Sequence, residues 1–214
     1  MHSSKKVHLQ TTNRVLQYLK GSPRKGILFK QSSRLVLEAY TDAYYIEFVI
    51  DRRSTIGYCI FLCGNLVIWR SNKQSLVVRS SVEAKVHTMA QGVCKLLWLK
   101  VILGDFKISC DDRMRFYCNN KSKISIADNL VQHDQTKHIE IDKHFIKEKL
   151  DSGLICTSYV STDYQLADVF TKGLSSAKFQ ADVSKLGMEN IYSLVWGGEC
   201  ERMQLGKLVI YREN

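Results

Sequence analysis

Gly57-Tyr58-Cys59-Ile60-Phe61-Leu62-Cys63 and Leu66-Val67-Ile68-Trp69 are two apolar, β-rich runs joined around Gly64-Asn65. Two such runs with a short glycine–asparagine link are a hairpin signal. Just upstream, Arg34 to Ala43 reads as a strand, and downstream Ser75–Arg79 reads as a possible third strand of the meander. From Val82 the period changes. Val82, Val86, Met89, Val93, Leu96 and Leu97 recur at steps of three and four, which predicts an amphipathic helix to about Leu103, ended by Gly104.

Further out, residues 7–20 read as a short helix stopped by Gly21-Ser22-Pro23. Met114–Cys118 and Leu154–Val160 read as strands. Lys121–Asp128, His138–Leu150, Asp163–Thr171 and Ala177–Leu186 read as helical. Hairpins come first and crossovers later. That order implies an α/β protein with a mixed sheet, antiparallel at one side and parallel at the other.

A chain of 214 residues suits one core domain with modest extensions. Its net charge of +10 favours a polyanionic partner, nucleic acid ahead of an anionic membrane. The longest strongly apolar run is Tyr58–Leu62 with its flanking Cys63, so no segment is expected to cross a bilayer. The basic start is followed by Val7-His8-Leu9-Gln10-Thr11-Thr12-Asn13, which is no hydrophobic signal region. The expectation is an intracellular protein, in nucleus or cytoplasm. The seven cysteines include no Cys-x-x-Cys pair and read as reduced, mostly buried thiols.

Six stretches carry more than composition. They are Ala39-Tyr40-Thr41-Asp42-Ala43, Asp51-Arg52-Arg53-Ser54-Thr55-Ile56-Gly57-Tyr58-Cys59, Ser81-Val82-Glu83-Ala84-Lys85, Tyr117-Cys118-Asn119-Asn120-Lys121-Ser122, Thr136-Lys137-His138-Ile139-Glu140-Ile141 and Gln165-Leu166-Ala167-Asp168-Val169-Phe170-Thr171-Lys172. In this order they resemble the ribonuclease H domain of a copia-type retrotransposon Pol polyprotein, over about residues 7–190. The resemblance implies a ribonuclease H-like, five-stranded mixed sheet flanked by helices. It also implies a division of the chain. Residues 1–31 would be a remnant of the reverse transcriptase connection, 32–173 the ribonuclease H-like domain and 174–190 a C-terminal helix, with 191–214 an unplaced tail.

Enzymes of this family cut RNA in a hybrid with DNA, using two Mg2+ or Mn2+ ions held by four carboxylates. Carried over residue by residue, the first position falls on Asp42 and the fourth on Asp168, both retained. The family usually continues Asp-Trp-Ala-Gly after its first aspartate motif. Tyr44-Tyr45-Ile46-Glu47 stands here instead. The second position, the last glutamate of a Ser-x-Glu-Ala-Glu pattern, is Lys85. The third, the aspartate of Tyr-Cys-Asp-Asn, is Asn119. Glu83 is no ready substitute. At about 100° per residue it and Lys85 lie roughly 160° apart, on opposite flanks of the apolar stripe.

Four carboxylates would present four negative charges to two dications. Asp42, Lys85, Asn119 and Asp168 together present one. An amide oxygen brings no charge and bridges two cations poorly. The expectation is therefore a ribonuclease H frame that has lost its metal and its hydrolysis, with Asp42 and Asp168 as weak metal ligands at most. Lys85 is expected to pair with Asp42 or Asp168 and relieve their repulsion.

Nucleic-acid binding can outlast catalysis, because backbone contacts rely on cations rather than on the metal site. Arg52, Arg53, Lys121 and Lys137 are the candidates, with Arg70, Lys73 and Lys123 near the same loops and Tyr44 and Tyr45 available for stacking. Two other readings stay open at this point. One is an active two-metal ribonuclease H with ligands elsewhere. The other is a domesticated interaction scaffold.

Overall fold

The computed structural model describes residues 6–32, 34–45, 54–74, 80–119 and 137–191. Arg52, Arg53, Lys121, Lys123, the possible strand Ser75–Arg79, the helical stretch Lys121–Asp128 and the tail from Tyr192 on lie outside the described residues. Helix α1 (Lys6–Gly21) is followed by β1 (Lys25–Ile27), β2 (Leu37–Tyr44), β3 (Thr55–Leu62) and β4 (Asn65–Lys73). Then come α2 (Ser81–Asp105), β5 (Met114–Cys118), α3 (Lys137–Asp151) and β6 (Ile155–Tyr159). A 3-10 turn (Thr162–Tyr164), α4 (Asp168–Thr171), α5 (Ser176–Lys185) and β7 (Met188–Asn190) close the described chain.

The main sheet has the order β4-β3-β2-β5-β6. β2, β3 and β4 are antiparallel neighbours, while β5 runs parallel to β2 and β6 parallel to β5. This is the five-stranded mixed sheet expected from the sequence. The hairpin is present, with its turn one residue earlier than the glycine–asparagine signal places it. Cys63 (φ 55°) and Gly64 (φ 76°) are the central residues, and Leu62 pairs with Asn65. Two successive positive φ values suit the twist of a tight hairpin. Asn65 is thereby free for another task. Its amide accepts from Lys30 N (2.6 Å) and donates to Lys30 O (2.8 Å), fastening the incoming chain to the hairpin.

α2 is the core helix. Ser80 caps it by accepting from Glu83 N. Val86, Met89, Ala90, Val93 and Leu96 are buried against Leu37, Ala39, Tyr58, Ile60, Met114 and Phe116 of the sheet, and Ala84 against Ala43 and Ile56. Each large apolar side chain removed from water in this way contributes about 1.5–3 kcal/mol. Gly92 lets the helix come close, since a Cβ there would sit 2.7 Å from Thr41 Cγ2. By length and composition alone α2 is apolar enough to cross a membrane, a property that the core helix of a folded domain shares. A search for one uninterrupted apolar run passes it over. Its apolar stripe is spent on the sheet.

β1 and β7 form a second, two-stranded antiparallel sheet that joins residues 25–27 to 188–190. Tyr18 packs edge-on against Phe179, with ring centroids 6.2 Å apart. The outer side of α1 leaves Leu9, Val15, Leu16 and Leu19 exposed. Cys59, Cys110 and Cys118 are buried thiols outside any disulfide, whereas Cys94 is exposed and Cys63 and Cys156 are half-buried.

Candidate functional site

Parallel pairing aligns Tyr40 of β2 with Tyr117 of β5. Asp42 and Asn119 each lie two residues further on, so they stand at the same level at the carboxyl ends of adjacent strands. That is the edge where open α/β sheets build their sites. A small crevice there is lined by Thr41, Asp42, Ala43, Lys85, Thr88, Met89, Cys118 and Asn119. It opens beside a cleft of about 410 Å³ lined by Asp42, Ala43, Tyr44, Tyr45, Ser81, Lys85 and Lys172. Lys85 therefore takes the flank of α2 that faces Asp42. Glu83 takes the other, where its field acts on His87.

On the other side of Asp42 lies α4. Thr171 Oγ1 donates to Asp42 Oδ2 at 2.7 Å. Lys172 Nζ lies 3.2 Å from Asp42 Oδ2 and 2.8 Å from Asp168 Oδ1. Both carboxylates are buried, at 3% and 2% exposure, and Lys172 is the ammonium in contact with both. Burial pushes the Asp168 carboxyl above its ordinary value, Lys172 pulls it back and the Asp42 charge adds to the rise. Burial works against the charge on Lys172, yet its hydrogen bond to Asp168 and the fields of both aspartates raise it above an ordinary amine.

The sequence reading assigned the carboxylate-pairing role to Lys85. The structure gives it to Lys172, which follows Asp168 by one helical turn and so already sits over it. Among the described residues Lys85 makes no ion pair. Lys172 belongs to one of the six stretches that carry the resemblance.

Two residues that the sequence reading missed set this geometry. Gln165 is buried, donates to Thr41 O (3.3 Å) and accepts from Ala167 N (3.2 Å), tying the entry to α4 onto β2. Gly57 pairs with Asp42 across β2 and β3. A Cβ at Gly57 would lie 2.7 Å from Thr171 Cγ2 and 2.8 Å from Phe170 Cβ, so its missing side chain is the space α4 occupies. Gly57→Ala is expected to cost about 1–3 kcal/mol in urea unfolding by overpacking. Gly104→Ala, which meets nothing within 4 Å, should be neutral or mildly stabilising. Equal midpoints for the two variants would contradict this account of Gly57.

Of the candidate contacts for nucleic acid, Tyr44 and Tyr45 line the cleft. Arg70 and Lys73 are exposed on β4. Lys137 opens α3 and lines a separate groove with Glu140, Ile141, His144, Phe145 and Glu148. The donor set around Asp42 suits a hard dication poorly. It offers two carboxylates already engaged by an ammonium, one amide, and a second ammonium in the same cleft. Among the described residues no group of three or more His, Cys, Asp or Glu side chains is placed to hold a metal ion.

The sheet order, the crossovers and the carboxylate-bearing edge define a ribonuclease H-like fold. The chain is similar to copia-type retrotransposon Pol polyproteins. It is 38% identical to the Pol polyprotein of transposon RE1 from Arabidopsis thaliana over 89% of its length, and 38% identical to that of transposon RE2 over 88%. It is 29% identical to the Pol polyprotein of transposon TNT 1-94 from Nicotiana tabacum over 86%. The chain spans only 13% of the RE1 and RE2 polyproteins. No family model matches it. Among solved structures, a ribonuclease H1 isolated from compost overlays 64% of this chain and 92% of its own, at 12% identity and a TM-score of 0.49. The foamy viral protease-reverse transcriptase in complex with an RNA/DNA hybrid overlays 81% of this chain and 21% of its own, at 13% identity and a TM-score of 0.47.

Proposed function

We propose that this chain is a retroelement-derived ribonuclease H-like protein that keeps the fold, binds nucleic acid through its backbone, and neither holds the metal pair nor hydrolyses RNA. The observation that carries the reading is the position of Lys85, an ammonium lining the same cleft as Asp42, beside Asn119 where a carboxylate would complete the set. Two dications cannot be neutralised by Asp42 and Asp168 alone, and the ammonium adds a repulsion that four carboxylates would not. Retained binding follows from the net charge of +10 and from the lysines and tyrosines around the cleft.

The division of the chain fits the same origin. Residues 1–31 are read as the remnant of a preceding reverse transcriptase connection. The exposed apolar side of α1 is what a helix that packs against such a neighbour would show. Residues 32–173 are the ribonuclease H-like domain, 174–190 the C-terminal segment, in which the expected single helix is α5 followed by β7, and 191–214 a tail with no assigned role.

The test is fluorescence anisotropy with a short RNA–DNA hybrid in EDTA. The expected result is metal-independent binding that weakens with salt, at a logarithmic slope of about −0.9 for each phosphate neutralised. Absence of binding at low salt would remove this reading.

A further inference from the structure

We infer that the cleft between β2, the first turn of α2 and α4 holds a backbone phosphate of the nucleic acid on Lys85 and Lys172, as an ammonium-lined anion site where the family frame is built for metal. This rests on the binding reading above. Three observations carry it.

The first is charge. Among the described residues, Lys85, Lys172 and Asp42 are the charged groups lining the cleft; with Asp168, which Lys172 also engages, cations and anions balance, but both carboxylates are buried and the two ammoniums are the charges turned to the cleft. Asp42 is 1% exposed at its side chain, and its carboxylate is already engaged by the Thr171 hydroxyl and by Lys172. Its charge therefore reaches the cleft largely neutralised.

The second is unmet hydrogen bonding. An ammonium carries three donors, and a half-buried one gains from an anionic acceptor. Lys85 makes no hydrogen bond or ion pair among the described residues, although it lines both cavities. Lys172 keeps 27% of its side chain exposed while bridging the two aspartates, so it also has a side open to the cleft.

The third is shape. The cleft, about 410 Å³, has room for a phosphodiester group with its sugar. Tyr44 at its rim is 43% exposed and, with Tyr45, offers aromatic surface to the adjoining nucleotide. An ammonium replacing a glutamate thus converts a metal-collecting site into one that meets the phosphate directly, with no metal as intermediary.

The experiment is hybrid binding in EDTA across a salt series with the natural chain, Lys85→Gln, Lys85→Arg and Lys20→Gln. The last makes the same charge change on exposed α1, away from the cleft. Lys85→Gln is expected to lose several-fold more affinity than Lys20→Gln, and its salt slope to fall by about 0.9 for the lost phosphate. Lys85→Arg should keep the slope. Binding by the natural chain with identical losses in Lys85→Gln and Lys20→Gln would overturn the phosphate site and leave general binding standing. No binding by the natural chain would overturn the binding reading and this inference with it. A lone inorganic phosphate that competes at millimolar concentration in the natural chain, and not in Lys85→Gln, would support the site independently of the nucleic acid.

Discussion

A Lys85→Glu/Asn119→Asp variant is expected to cleave the RNA strand of an RNA–DNA hybrid in magnesium or manganese, while the natural chain stays silent. The two changes place four carboxylates around the end of β2, where Asp42 and position 119 stand at one register level and position 85 faces them across the crevice. Metal assistance of in-line phosphoryl displacement contributes several kcal/mol, and each 1.4 kcal/mol is a tenfold change in rate, so a gain of roughly a thousandfold or more is expected. Neither single change should suffice. Lys85→Glu alone still lacks the carboxylate at 119, and Asn119→Asp alone still leaves an ammonium in the cleft. Strong non-additivity is the rule for groups that act as one unit.

The same variant should acquire a metal-dependent stability. At a magnesium concentration 100 times the dissociation constant, the gain is about 2.7 kcal/mol, whereas the natural chain should gain little. Magnesium-dependent cleavage by the natural chain would refute the ligand assignment. Silence in both, with the double variant folded and stabilised by magnesium, would place the defect in substrate positioning, beyond the metal site.

The parts of this molecule that were legible in its sequence are those with a long pattern. The hairpin was visible from two β-rich runs and a turn signal, and α2 from six apolar positions at helical spacing. Asp42, Lys85 and Asn119 could be brought to one edge because parallel pairing places the carboxyl ends of β2 and β5 side by side. What escaped depends on contacts between distant segments. β1 and β7 are three residues each, Lys25-Gly26-Ile27 and Met188-Glu189-Asn190, too short to show a period. Gly57 reads as an ordinary strand glycine until α4 is seen filling the space beside it. The turn lies at Cys63-Gly64 and Asn65 is held by Lys30, 35 residues away in sequence, a contact no local pattern shows. Lys172 alone had a local signal. A lysine four residues after Asp168 is the spacing of a helical ion pair.

Lys172→Met is expected to be among the most damaging substitutions for stability. The change keeps much of the side-chain volume and removes the ammonium that lies between two carboxylates 1% and 2% exposed. Removing one partner from a buried ion pair costs about 3–5 kcal/mol, because the remaining charge is left without compensation. Against a typical domain stability of about 5–15 kcal/mol, that is a large fraction.

The pH dependence separates this cause from simple loss of packing. Asp168 is raised in the folded chain, first by burial. Such a group contributes stability that is fully present below its unfolded value, about 3.9, and is lost as pH rises through the folded value. With Lys172 gone the main opposing influence disappears and the rise becomes larger. The variant should therefore regain stability as pH is lowered from 7 toward the carboxylate range, and its deficit relative to the natural chain should shrink. Lys172 itself is raised in the folded protein. Its contribution is intact below the unfolded lysine value, about 10.4, and is lost only as pH climbs through the folded one, so the natural chain keeps it at neutral pH. Adding Asp168→Asn to Lys172→Met removes one of the stranded charges and should restore part of the loss at pH 7. Urea unfolding at pH 7 and pH 5 reads all three chains. A deficit under about 0.5 kcal/mol, or one that does not change with pH, would mean that water rather than Lys172 neutralises the two aspartates, and that the ammonium bridge contributes nothing to the fold.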